Sequence, residues 1–183
     1  MSPSAAAPMV LVIMGVSGSG KTTIATQLAG MLNWPLAEGD ALHPAENIAK
    51  MQAGQPLTDA DRAPWLEKVT QWVEACLDAG HGGIITCSAL KRAYRKQIAR
   101  RGAGVTFVHL SGAREVIGMR LQKRAGHFMP PALLESQFAA LELPAADEPV
   151  LRMNVEAAPA AIAADIIQRL GLAPTTLNPG PPC

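Results

Sequence analysis

Apolar residues along this 183-residue chain alternate between short continuous runs and longer stretches at helical spacing. The run from Val10 to Met14 is apolar at every position, the signature of a strand covered on both faces. After it, Ile24, Leu28, Met31 and Leu32 recur every three or four residues, which predicts a helix over Lys21–Leu32 that Asn33, Trp34 and Pro35 end. A short second strand is expected at Leu36–Glu38. Thr58 reads as a helix N-cap with Asp59 and Asp61 in the first turn. Trp65, Leu66, Val69, Trp72, Val73, Cys76 and Leu77 then mark the clearest amphipathic helix of the chain, which stops at the glycines around His81. Ile84–Cys87 is the expected third and central strand, and Ser88 to Lys91 leave its C-terminal edge into a basic helix. A fourth strand is predicted at Thr106–Leu110, helices at Ala113–Lys123 and Ala132–Leu141, a fifth strand at Val150–Val155 and a last helix at Pro159–Leu170. Strand–helix alternation of this kind predicts a three-layer α/β/α architecture on a five-stranded parallel sheet with right-handed crossovers.

Composition narrows the picture. An apolar share of 49% with only 4% aromatic residues suits a single aliphatic α/β core, taken here as one domain over residues 9–171 with flexible tails at 1–8 and 172–183. Cys76, Cys87 and Cys183 form an odd set without CxxC or Cys/His spacing, which argues against a disulfide framework and against structural zinc. The apolar stretch Met9–Gly15 is too short to cross a bilayer, and Met1–Pro8 lacks the basic start of a secretory signal. A cytoplasmic protein without membrane contact is expected. The net charge of +1 hides an asymmetry: Lys91, Arg92, Arg95, Lys96, Arg100 and Arg101 crowd a segment with no acidic residue between Asp78 and Glu115. Only Tyr94 interrupts that segment as an aromatic, so it makes a poor stacking platform and nucleic acid is not the expected partner. For most of these charges a solvated helix face suffices.

The densest chemistry lies between the first strand and first helix. Gly15-Val16-Ser17-Gly18-Ser19-Gly20-Lys21-Thr22 fits the phosphate-loop pattern GxxxxGK[ST] at every fixed position. Its glycines let backbone N–H groups turn inward around a phosphate, Lys21 reaches the β/γ oxygens, and the Thr22 hydroxyl is a Mg²⁺ ligand. The helix that starts at Lys21 adds its N-terminal dipole. These eight residues and Thr23 are the candidate site for ATP. Guanine-specific switches carry an NKxD element, which is absent, and the central strand ends in Thr86-Cys87-Ser88 rather than in the metal-binding Asp of large ATPases. A kinase for a small molecule is therefore favoured. Asp40 and His43 follow the second strand at the sheet edge where such folds bind ligands. Asp40 is the candidate to orient or deprotonate an attacking hydroxyl, or to hold Mg²⁺ through water; capping the turn before Leu42 is its structural alternative.

Five further segments carry a specific resemblance: GDALHP (Gly39 to Pro44), NIAKMQAGQPLTDADRAPWL (Asn47 to Leu66), CSALKRAYR (Cys87 to Arg95), AGHFM (Ala125 to Met129) and QFAALELP (Gln137 to Pro144). In this order they resemble the gluconate kinases, a family of phosphate-loop kinases, over about Val10 to Leu170. The resemblance implies an adenylate/shikimate kinase-like fold with a mobile lid, a homodimer, and ATP- and Mg²⁺-dependent phosphorylation of D-gluconate on its 6-hydroxyl, a step of sugar-acid catabolism. Shikimate or another small anionic acceptor is the neighbouring alternative, and a non-catalytic nucleotide-gated binding module the distant one. An acyclic carboxylate with five hydroxyls needs a cation and several hydrogen-bonding groups. Arg62, Lys91 and Arg95 are the candidate cations, and His43, Asp59, Asp61 and Ser88 the candidate hydroxyl partners, with helix capping as the competing role of Asp59 and Asp61. Arg120 and Arg124 resemble lid arginines, Arg124 for the transferring phosphoryl group and Arg120 for the nucleoside side, while His127 is a candidate for acceptor contact or lid closure. Glu38 departs from the Asp of the related DxD pattern, so no metal role carries over to it.

Overall fold

The computed structural model describes residues 9–122 and 131–174. Its elements in order are β1 (Val10–Met14), α1 (Lys21–Leu32), β2 (Leu36–Glu38), a 3-10 turn (Gly39–Leu42), α2 (Ala45–Gln52), α3 (Asp59–Asp78), β3 (Gly83–Thr86), α4 (Arg92–Ile98), β4 (Val105–Ser111), α5 (Arg114–Gln122), α6 (Pro131–Ala140), β5 (Val150–Asn154) and α7 (Pro159–Arg169). The five strands are parallel in the order β2-β3-β1-β4-β5. The expected three-layer α/β/α fold is thus present, with β1 at the centre.

Period-two alternation assigns the sheet's side chains to two cores. Leu11, Ile13, Val108, Leu110 and Met153 pack with α1 and α7 through Leu28, Ile162 and Ile166. Val10, Val12, Met14, Ile85 and Phe107 face the other way and pack with α3 and α4 through Trp65, Val69, Val73 and Ile98. Every residue of β1 has no exposed surface, and each such aliphatic side chain contributes roughly 1.5–3 kcal/mol of burial. That stiffness matters because the phosphate loop leaves directly from the end of β1.

Three differences from the pattern-based expectation bear on the site. α2 is extra: only half of its eight residues are apolar, and it is too short for its helical period to stand out in the sequence. β3 ends at Thr86, and the chain after it does not enter a helix until Arg92, with Ala89 at a left-handed φ of 44°. Finally, Leu172 donates its N–H to the Ile167 carbonyl at 3.0 Å and packs against the core, so the described domain includes a residue assigned to the tail. The remaining expectations about the tails fall on residues 1–8 and 175–183, outside the described residues.

Close backbone approach brings β2 to the site. At Gly39 an added Cβ would stand 2.0 Å from the Thr86 carbonyl oxygen, so no side chain fits between the tip of β2 and β3. Gly39 N–H donates to Thr86 Oγ1 at 3.1 Å, which locks the tip and delivers Asp40 at the sheet's C-terminal edge.

Candidate active site

The donor side is built mainly of backbone. Gly15 has φ 143°, and a Cβ there would meet Leu110 O at 2.8 Å and Ser19 Oγ at 2.9 Å, so only glycine lets the chain turn out of β1 this tightly. Gly20, at φ 97°, is the N-cap of α1 and leaves the first-turn N–H groups without a side-chain cap. This helix end is an anion site by construction. Lys21 Nζ folds over the loop and donates to the Gly15 and Val16 carbonyls at 3.0 and 3.1 Å. Beside the loop lies a cavity of about 360 Å³, lined by Gly18, Gly20 and Thr23 on one side and Val155, Pro159 and Ile162 on the other. Its volume is in the usual range for a small-molecule ligand, and its far wall is apolar, as a nucleobase needs. Arg120 also lines it and donates to the Val155 carbonyl at 2.7 Å.

A carboxylate stands beside the loop where a cation is needed. Glu38 Oε2 accepts from Thr22 Oγ1 at 3.3 Å and from Thr86 Oγ1 at 2.7 Å, while Glu38 Oε1 is buried with no hydrogen-bond partner. An orphaned carboxylate oxygen beside the Thr22 hydroxyl fits a hard cation. Among the described residues no group of three or more His, Cys, Asp or Glu side chains forms a metal cage. Glu38, given no metal role in the sequence reading, is therefore placed with Thr22. In the sequence its mark is that it stands, two residues before Asp40, where the related DxD pattern has Asp.

A second cavity, about 70 Å³, brings Lys21 and Ser17 of the loop together with Asp40, His43, Arg62 and Ser88. Trp65 forms one wall; its Nε1 donates to Gly39 O at 2.7 Å and its ring stacks on His43 at 4.2 Å. The His43 imidazole is pulled down to about 4, chiefly by burial; Asp40 opposes the shift and Arg62 adds to it. It is neutral at pH 7 and serves as a hydrogen-bonding group rather than a cation. Its Nδ1 lies 3.3 Å from Asn47 Nδ2, a contact supplied by α2. Arg62 has no ion-pair partner among the described residues; its Nε reaches Leu57 O at 3.4 Å and its guanidinium lies 5.8 Å from the centre of the Tyr94 ring. Cys87 lies against this polar centre, yet burial pushes its thiol up to about 12, so it is chemically inert.

Two of the three expected acceptor cations are engaged elsewhere. Arg95 is 2% exposed and forms a two-pronged ion pair with Glu148, Nε to Oε2 at 2.6 Å and Nη2 to Oε1 at 3.0 Å. Its Nη1 donates to the Ala89 and Leu90 carbonyls at 3.1 and 3.2 Å. With its donors committed, Arg95 is corrected from an acceptor ligand to the pin of the turn that presents Ser88. Lys91 Nζ lies 2.8 and 2.9 Å from the two oxygens of Asp59, whose carboxylate also accepts from the Tyr94 hydroxyl. Lys91 and Asp59 thus satisfy each other beside the cavity, not in its lining. Asp61 completes a capping box with Thr58 and pairs with Lys50 at 2.6 Å, so capping is its role. Most of the basic segment finds acidic partners too: Arg100 on Glu67 and Glu74, Arg101 on Asp78, Arg92 on Asp147. Arg124 and His127 lie outside the described residues.

The family described as AAA domain matches residues 10–144, the stretch from β1 through the loop after α6, and the chain belongs to that nucleotide-binding family. Within it, the chain is 52% identical over 161 residues to a gluconokinase from Gluconobacter oxydans, covering 88% of this chain and 90% of that one. This chain belongs to the gluconokinase family. Among solved structures, a gluconokinase from Sinorhizobium meliloti 1021 superposes with a TM-score of 0.78 at 39% identity, covering 90% of this chain and 97% of the other. An unliganded sugar kinase from Janibacter sp. HTCC2649 superposes with a TM-score of 0.86 at 48% identity, covering 91% and 96%. Like them, the chain is a phosphate-loop kinase, a phosphotransferase. The sequence singled out neither Val155, Pro159 and Ile162, which line the larger cavity of this gluconokinase, nor Gln137, whose side chain reaches the phosphate loop.

Proposed function

We propose that this enzyme transfers the γ-phosphoryl group of ATP to the 6-hydroxyl of D-gluconate, giving 6-phospho-D-gluconate and ADP. The observation that carries the reading is one small cavity in which Asp40, Arg62, which has no ion pair among the described residues, and Lys21 of the phosphate loop meet. Phosphoryl transfer asks mainly for alignment and charge stabilisation around a loose transition state. Lys21 leaves its two loop carbonyls for the β/γ oxygens and draws off developing charge. Asp40 accepts the hydrogen bond of the attacking hydroxyl and aligns it, taking its proton as the bond to phosphorus forms. Arg62 binds the carboxylate, and neutral His43 with Ser88 binds chain hydroxyls. Arg120 lies against the nucleoside. Family resemblance adds Arg124 at the transferring group and His127 at lid closure. Bound Mg²⁺ neutralises phosphate charge, and Thr22, Glu38 and Asp40 are the residues that would hold it, directly or through water.

A homodimer working in the reducing cytoplasm completes the proposal. Cys76 and Cys87 are buried and form no disulfide among the described residues, and no helix among the described residues is long and apolar enough to cross a membrane. The test is an acceptor panel of D-gluconate, shikimate, AMP and pyridoxal, with ADP release followed and the product identified. Turnover with gluconate and a 6-phosphate product is expected. Turnover with a different acceptor would reassign the substrate, and nucleotide binding without transfer to any acceptor would favour the binding-module reading.

A further inference from the structure

Gln137, on α6, touches a loop 120 residues away in sequence. The Ser17 backbone N–H donates to Gln137 Oε1 at 2.7 Å, and Gln137 Nε2 donates to Ser17 Oγ at 3.1 Å. Two complementary hydrogen bonds fix both the peptide and the side chain of one phosphate-loop residue, where a single bond would leave it free to turn. Ser17 and Gln137 both line the acceptor cavity, together with Lys21.

That cavity is about 70 Å³, whereas pockets for small ligands run to roughly 300 Å³ or more. Its wall has to move before a six-carbon sugar acid enters. Leu133, Ser136 and Gln137 of α6 form part of that wall, so outward movement of α6 pulls directly on Ser17. The same helix is tied to α5: Arg114 pairs with Glu135 at 2.7 Å and lies 4.7 Å over the Phe138 ring. α5 in turn carries Arg120 to the nucleotide cavity. Acceptor entry is therefore mechanically linked to both walls of the donor site.

We propose that Gln137 is a positioning residue that couples acceptor binding to the phosphate loop, holding Ser17 so that the loop reaches its transfer geometry only with the acceptor in place. The inference rests on the phosphotransfer reading above. Coupling of this kind is reciprocal, so gluconate tightens nucleotide binding by the same factor as nucleotide tightens gluconate.

The test uses Gln137→Met, which keeps side-chain length and removes both hydrogen bonds. Three quantities are measured: kcat and KM with gluconate, ATP hydrolysis without gluconate, and affinity for a non-hydrolysable ATP analogue with and without gluconate. Transfer kcat is expected to fall roughly tenfold or more, as for other residues that hold reacting groups in register. Analogue affinity without gluconate stays within about threefold, while the factor by which gluconate tightens it shrinks toward one. Hydrolysis rises relative to transfer. In a cycle with Ser17→Ala the kcat losses are expected to be less than additive, since the two variants break one linkage. An unchanged coupling factor overturns the proposal, as does a parallel fall of kcat, basal analogue affinity and melting temperature, which would mark Gln137 as simple packing. If Gln137→Met does not fold, Gln137→Asn, which withdraws the amide by one methylene, is read the same way. Should the wild type fail on gluconate, the acceptor panel reveals it first, and coupling is then measured with the acceptor that is turned over.

Discussion

The two halves of the proposed active site are made of different material. The donor half is backbone: glycines at left-handed φ, a helix end and a cavity of about 360 Å³ already open. The acceptor half is side chain: Asp40, His43, Arg62 and Ser88 come from separate segments around a cavity of only about 70 Å³. A backbone site is preorganised because its donors have nowhere else to go. A side-chain site has competing partners, so each charge has to be assigned by what stands next to it. Arg62 and Arg95 illustrate this: both are arginines from family segments, yet one lines the smaller cavity with no ion-pair partner among the described residues and the other is consumed by Glu148.

Substitutions can pull this contrast apart. The largest effect is expected for Arg95→Ala, which strands a buried Glu148 carboxylate; losing one partner of a buried pair costs about 3–5 kcal/mol. Thermal or urea unfolding should show it, whereas an acceptor-ligand role would appear as raised gluconate KM at unchanged stability. Next, Asp40→Asn should lower kcat by about 10²–10⁴ and leave ATP binding by calorimetry intact; collapse of ATP·Mg²⁺ affinity instead would assign Asp40 chiefly to the metal. Lys21→Ala removes a cation at the transferring group, and a kcat loss of about 10²–10³ is expected from steady-state kinetics at saturating substrates. Near-normal turnover would remove the phosphate loop from the mechanism. Arg62→Ala should raise gluconate KM by an amount that reflects a lost charged hydrogen bond, about 1.5–3 kcal/mol, with melting temperature unchanged.

The smallest effect is one of pH. His43 and His109 are both held down to about 4, each chiefly by burial. An unfolded histidine titrates near 6.5, so between about pH 6.5 and 4 the unfolded chain binds protons that the folded chain refuses. Stability should therefore be flat above about pH 7 and decline as pH falls through that window. Melting curves at intervals of pH will show it, and His109→Gln should flatten the slope. A slope unaltered in His109→Gln would assign it to His43 or to carboxylates, and one unaltered in His43→Gln as well to carboxylates alone.

Legibility followed the same divide between backbone and side chain. The Lys21–Leu32 helix was readable because it has its own period and its own stop signals at Asn33, Trp34 and Pro35, after which β2 begins. The phosphate loop was readable because its chemistry is written in consecutive residues. Arg95 was misassigned because its partner Glu148 lies 53 positions on, and no local pattern reveals which acid meets which base. Gln137 and Glu38 were missed for the complementary reason: their significance comes from Ser17 and Thr22, neighbours only in space. α2 was missed because eight residues are too few for a helical period to be read, although it supplies the Asn47 contact to His43.

Ala89 sits at φ 44°, a backbone region that costs an ordinary L-residue roughly 1–2 kcal/mol, and Arg95 grips its carbonyl. The turn after β3 is thus a sprung hinge, and the Arg95–Glu148 pair is its catch. Were Glu148 exchanged for a neutral residue, the backbone would relax toward the extended basin and carry the Ser88 hydroxyl out of register. A change at Glu148, in a connecting loop, would then reshape the lining of the smaller cavity, to which Ser88 belongs.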